Sequence, residues 1–183
     1  MALESTTIGK ILKYFYENPN EEIYLRELAK KLKISTFSVK KYLDGLVSEN
    51  MVVEHRKGKM RIFKANTNNL PLRHLKIAYN LSQITKSGLI EHLKEKIPLL
   101  ISIVIYGSVS RGEDTKGSDL DILIIGKNVQ LNLSKYKKSL GREITLLIYK
   151  PSEWKNKARE NRGFYQNVIT DGIAVYGNLP LIE

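Results

Sequence analysis

The sequence contains no cysteine. Disulfides, thiolate zinc sites and cysteine nucleophiles are therefore excluded. It has no apolar run long enough to cross a bilayer. The opening MALESTTIGK lacks the basic-then-apolar pattern of a secretory signal, so a cytoplasmic protein is expected. Histidine is scarce: His55, His74 and His92 stand far apart at no metal-like spacing and read as surface or packing residues. Acidic residues are in the minority, 19 against 30 lysines and arginines, for a net charge of +11. Such a balance suits a polyanionic partner, or a lysine-rich surface tuned for solubility or heat tolerance. The excess is shared. Residues 1–69 carry 13 basic and 8 acidic side chains, net +5, and residues 70–183 carry 17 and 11, net +6. Neither half is a basic tail, so position has to decide what the charge is for.

What is present is ordinary globular material. A chain of 183 residues with 42% hydrophobic side chains can build one large core or two small ones. Ile8, Ile11, Leu12 and Phe15 recur at i, i+3, i+4, i+7, the signature of one helix face, and Asn18-Pro19-Asn20 stops that helix. A second helix runs through YLRELAKKL, with Leu25, Leu28, Ala29 and Leu32 on its apolar side. Ser35 or Thr36 can cap a third, through Val39, Leu43, Leu46 and Val47. MVVEH and MRIFKA follow, joined by Arg56-Lys57-Gly58-Lys59, and read as a β-hairpin with a basic turn.

Three helices and a basic hairpin resemble a winged helix-turn-helix domain. The resemblance implies that residues 1–68 bind double-stranded DNA, with the third helix in the major groove. Thr36, Ser38, Lys40 and Lys41 would then face the bases. Arg56, Lys57, Lys59 and Arg61 would meet phosphates, where contacts position without specifying. The competing expectation is a protein-interaction or dimerisation module with a solvated charged face.

Asn68-Asn69-Leu70-Pro71 marks a boundary. Residues 69–98 form a helical connector in pattern, belonging to either core or to a homodimer interface. Leu99 to Ile105 is a β-branched-rich run, expected as a buried strand leading into the third segment, residues 99–183.

The stretch YGSVSRGEDTKGSDLDILIIG, residues 106–126, carries the chemistry. Gly107 permits a tight turn and close backbone approach, and Ser108 adds a hydroxyl. Arg111 offers a planar donor fork suited to phosphate oxygens. A strand beginning at Ser118 would set Asp119 and Asp121 on one face, since side chains alternate. Oxygen ligands without thiols point to Mg²⁺ or Mn²⁺. A P-loop is excluded because Glu113 stands where lysine is required, and an EF-hand fails for want of its third ligand.

Gly-Ser, a short linker and Asp-x-Asp opening a strand closely resemble the nucleotidyltransferases of the DNA polymerase beta superfamily, especially their minimal members. The residues that carry this are Gly107, Ser108, Arg111, Gly112, Ser118, Asp119 and Asp121, and the likeness runs from about residue 88 to 177. It implies an α+β chain whose second part is a mixed sheet with flanking helices. It implies Gly107, Ser108, Arg111 and Ser118 around the triphosphate of an NTP such as ATP. Asp119, Asp121 and a third carboxylate on a later strand would be the catalytic, metal-binding set. Glu143, the acid of GREITLLIY, is the candidate, although the family more often has aspartate. The acceptor could be a protein such as a helical toxin partner, a small molecule or an RNA end. The alternative is a DNA-binding transcriptional regulator whose second domain senses nucleotide or is inactive.

Overall fold

A computed structural model describes residues 5–182. The chain divides into two compact units between Lys76 and Ile77. As expected, both are α+β.

The first unit opens with helix α1 (Thr7–Glu17), capped by Thr6, whose hydroxyl accepts from the Gly9 amide at 3.1 Å. A two-residue strand, β1 (Ile23–Tyr24), precedes α2 (Leu25–Leu32). Lys33 adopts a left-handed conformation and ends α2, and the next helix follows within three residues. That helix is α3 (Thr36–Ser48), capped by Ser35 through the Ser38 amide. It buries Val39, Leu43 and Leu46, three residues of one face, with Ile11, Phe15, Leu28 and Phe63 in the same unit's core. Leu25 and Leu32, expected on the buried side of α2, are only half-buried. The hairpin is β2 (Val52–Lys57) and β3 (Met60–Ala65), paired antiparallel from Val52↔Ala65 to Lys57↔Met60. β1 adds to the other edge of β3, giving the order β1-β3-β2.

The second unit contains most of α4 (Leu70–Ser87) and then α5 (Leu89–Lys96). Its sheet is built from β4 (Ser102–Tyr106), β5 (Leu120–Ile125), β6 (Ile144–Tyr149) and β7 (Ile173–Tyr176), in the order β6-β5-β4-β7. β5 and β6 run parallel, and the other pairs are antiparallel. A one-turn helix, α6 (Ser108–Arg111), follows β4 directly. Helices α7 (Ser134–Leu140), α8 (Pro151–Glu160) and α9 (Arg162–Asp171) complete the unit.

Alternation along the strands divides the core into two layers. Ile103, Ile105, Ile122, Ile124 and Ile144 pack with Leu89, Leu93 and Tyr136 from the helices on one face. Val104, Leu123 and Ile125 pack on the other with Trp154, Ala158 and Val168. Trp154 is buried, and Phe164 and Tyr165 pack beside it. Each layer covers one face of the strands, which explains the near-continuous apolar run of β5.

Two expectations shift. The apolar run from Leu99 enters the sheet only at Ser102: Leu99 has φ of 53° and is 82% exposed, and Ile101 is exposed too. β5 begins at Leu120, so Asp119 sits just ahead of the ladder. Among the described residues no helix is long and apolar enough to cross a membrane.

Candidate functional site

The site gathers at the ends of β4, β5 and β6. Antiparallel pairing sets Tyr106 opposite Asp121, and Gly107 follows at once. Gly107 has φ of 78°, a backbone that side-chain-bearing residues rarely adopt. A Cβ there would lie 2.5 Å from Asp121 Oδ2. Glycine is thus required twice, for the turn into α6 and for the space the carboxylate fills. The turn is closed by Ser110, whose hydroxyl donates to the Gly107 carbonyl at 2.9 Å.

Asp121 is half-buried, and its carboxyl is pushed up from the ordinary aspartate value. Burial is the main cause; the neighbouring Asp119 charge adds to it and Arg111 opposes it. The exposed Asp119 carboxylate and the half-buried Asp121 carboxylate therefore repel one another. A hard divalent cation suits that donor set, and the space left by Gly107 keeps Asp121 Oδ2 in position to meet it. Asp119 and Asp121 are the residues that would hold it.

Parallel pairing brings Thr145 opposite Asp121. The Thr145 hydroxyl donates to Asp119 Oδ2 at 3.5 Å, so the β6 side chain facing the carboxylate pair is a neutral hydroxyl. Glu143 is elsewhere engaged. It lies just before β6, its side chain is 67% exposed, and Lys137 of α7 donates to its Oε2 at 2.5 Å. Among the described residues, no three His, Cys, Asp or Glu side chains gather into a group that could hold a metal. The structure brings Asp119 and Asp121 together and leaves Glu143 with Lys137. Residue types alone could have raised Thr145: it is the polar member of an apolar strand, two positions beyond Glu143 and so of the same parity.

The remaining site residues are placed as follows. Ser108 is half-buried at the start of α6. Arg111 Nε donates to Glu113 Oε2 at 2.7 Å, and Asp171 Oδ2 lies 3.7 Å from the same guanidinium. Ser118 braces the loop before β5: its hydroxyl accepts from the Thr115 amide at 2.9 Å, and its amide donates to the Thr115 carbonyl at 3.0 Å.

The same loop holds a buried charge that sequence reasoning missed. Asp114 is 2% exposed. Its Oδ1 accepts from Asn80 Nδ2 at 2.8 Å, and its Oδ2 accepts from both terminal nitrogens of Arg142 at 3.2 Å. Three segments, α4, the 112–119 loop and the turn before β6, are tied by one carboxylate. A buried carboxylate is tolerated only when paired and hydrogen-bonded in this way.

In the first unit, Thr36, Lys40 and Lys41 are exposed along α3 and Ser38 is half-buried. Ser38 is partly occupied, accepting from the Ser35 hydroxyl at 2.8 Å. Arg56, Lys57 and Lys59 are exposed at the hairpin tip. Arg61 is different. It donates to both oxygens of Glu54, at 2.7 and 2.6 Å, and to Asp44 at 2.6 Å. It lies over the Phe63 ring at 5.0 Å. Expected to meet phosphate, it instead spends these donors on tying the hairpin to α3.

Residues 86–164 match the family model of the nucleotidyltransferase domain. Over 97 residues the chain is 23% identical to protein adenylyltransferase MntA of Shewanella oneidensis, covering 53% of this chain and 68% of that protein. Among solved structures, a toxin–antitoxin MntA–HpeT mutant is 24% identical over 51% of this chain and 72% of its own, at a TM-score of 0.35. NolR from Sinorhizobium fredii is 19% identical over 45% of this chain and 77% of its own, also at 0.35.

Proposed function

We propose that the second unit transfers a nucleoside monophosphate from an NTP to an acceptor hydroxyl, and that the first unit binds duplex DNA. The observation that carries the first part is the carboxylate pair, Asp119 and Asp121, with Asp121 packed into the space that Gly107 leaves at the turn. The nucleotidyltransferase match over residues 86–164 supports it. The relative's name supports adenylyl transfer to a protein, with ATP as donor. A helical toxin partner is one acceptor of that class, as the resemblance implies.

In this reading the Gly107–Ser108 turn and Arg111 receive the triphosphate. The acceptor hydroxyl attacks the α-phosphorus in line and gives up its proton to solvent, an O–Pα bond forms, the bond from Pα to the oxygen bridging to the β-phosphorus breaks, and pyrophosphate leaves with that oxygen. Asp119 and Asp121 would hold Mg²⁺, which when bound would neutralise the triphosphate charge. The protein's own contribution is positioning: the loop tied by Asp114 and Ser118 leads into β5 and sets the two carboxylates.

A second reading is favoured by a specific observation. Glu143 is paired with Lys137, and Thr145 stands opposite the carboxylates. A site with two carboxylates can bind an NTP with one cation yet transfer slowly. The chain would then be a DNA-binding regulator that senses nucleotide.

The test is incubation with Mg²⁺, α-labelled ATP and lysate of the source cells, comparing wild type with Asp119→Ala/Asp121→Ala. Label on protein with wild type alone supports transfer. Binding of the ATP analogue AMP-PNP by wild type and not by the double variant, with no label transferred, supports sensing. Failure of both refutes a nucleotide site.

A further inference from the structure

The recognition surface proposed for α3 contains a side chain that charge-based reasoning passes over. Phe37, the second residue of α3, is 80% exposed. At ~100° per residue it lies roughly 160° round the helix from Val39, the centre of the buried face. It stands on the outer side with Lys40 and Lys41. A large aromatic ring held in water at the start of a helix loses the stabilisation that burial would give it.

Electrostatics say which end of this face meets a polyanion. Lys40 and Lys41 lie in the N-terminal half of α3. Asp44, farther along, is compensated by Arg61, which also holds Glu54. That clamp fixes the hairpin on α3, and the hairpin tip adds exposed Arg56, Lys57 and Lys59. Asp44 and Glu54 are thus paired with Arg61, while the N-terminal half of the helix and the tip stay positive. Phe37 lies in that positive half. In a helix entering the major groove, N-terminal residues are the ones that reach base edges.

We propose that Phe37 is a base-reading residue that packs against the 5-methyl group of thymine in the DNA major groove, flanked by Lys40 and Lys41. The thymine methyl is an apolar projection into that groove, and an aromatic side chain is one of its natural partners. The occupant is duplex DNA, as the surrounding lysines require; an apolar protein surface would have to leave them unpaired. This inference rests on the proposal that the first unit binds DNA.

The experiment uses the full chain and duplexes recovered by in vitro selection from a random-sequence DNA library. Each thymine of a selected duplex is replaced singly by uracil, which removes only the methyl group, and binding is measured by fluorescence anisotropy. Wild type is expected to lose roughly 3- to 10-fold in affinity at one or two uracil positions. Phe37→Ala is expected to bind the thymine duplex about as weakly as wild type binds the uracil duplex, and to be indifferent to the replacement. Phe37→Leu should keep part of the sensitivity. Because Phe37 is exposed, both variants should match wild type in thermal melting, and that is measured first. Selection that recovers no duplex, with no binding at low salt, refutes the DNA-binding reading itself. Salt-dependent binding in which uracil has no effect, or in which Phe37→Ala responds to uracil as wild type does, overturns the thymine contact and leaves DNA binding intact.

Discussion

The Thr145 hydroxyl lies 3.5 Å from Asp119 Oδ2, so a neutral donor occupies the β6 position that faces the carboxylate pair. Cation affinity in oxygen sites follows the number of charged ligands. Thr145→Asp should therefore tighten Mn²⁺ binding by roughly tenfold or more, read by titration without nucleotide. It should also raise labelled-nucleotide transfer if that is limited by the missing carboxylate. Unchanged Mn²⁺ affinity would show that Thr145 does not face the ion.

Gly107 tests the other wall of the site. An alanine there must adopt φ of 78° with ψ of −149°, a backbone region essentially reserved for glycine, at a cost of ~1–3 kcal/mol. Its Cβ would also sit 2.5 Å from Asp121 Oδ2, so the carboxylate must move. Gly107→Ala should lower the melting temperature by several degrees and abolish the further stabilisation that Mg²⁺ and AMP-PNP give wild type. Retained ligand stabilisation would remove Gly107 from the site.

Arg61 and the hairpin tip should separate under salt. Lys57→Ala and Lys59→Ala should each weaken DNA binding across sequences and reduce the salt slope by about one. Arg61→Met should leave that slope nearly unchanged, because the guanidinium is committed to Glu54 and Asp44. A slope change from Arg61→Met equal to that of the lysines would place Arg61 on the phosphates after all.

The same clamp predicts a pH dependence. Hydrogen bonding from Arg61 holds Glu54 below the ordinary glutamate value, against the opposing effect of burial. A depressed carboxyl stabilises the fold above its unfolded pKa, ~4.3, and that stability is lost as pH falls through the lowered folded value. Thermal melting of Glu54→Gln should therefore lie below wild type at pH 7, by roughly 2–4 °C. The gap should narrow in acid below the ordinary range. A gap constant from pH 7 to pH 3 would show that Glu54 contributes through packing alone.

Periodicity and caps made most of both units legible. Ser35 before α3 and the Arg56–Lys59 turn between two β-rich runs are local signals, and local backbone preference follows them. α7 is hard to read from residue order although Leu133, Tyr136 and Leu140 carry its apolar spacing, because five polar or basic residues dilute the pattern. The pair Asp119 and Asp121 was readable because their i, i+2 spacing brings both carboxylates to one edge. The neighbour of the pair on β6 was not: the register between two parallel strands sets Thr145 opposite Asp121.

Residue order by itself determined the elements, the absence of thiol chemistry, the excess of positive charge and the glycine turn beside paired aspartates. These depend on spacing, side-chain type and backbone freedom, which are local. Tertiary structure alone decided that Arg61 is a clamp, that Glu143 belongs to Lys137, and that Asp114 is buried between Asn80 and Arg142. Each of these pairs bridges separate elements or loops. A charged side chain takes the partner that the packed chain brings within reach, and sequence spacing does not reveal that partner.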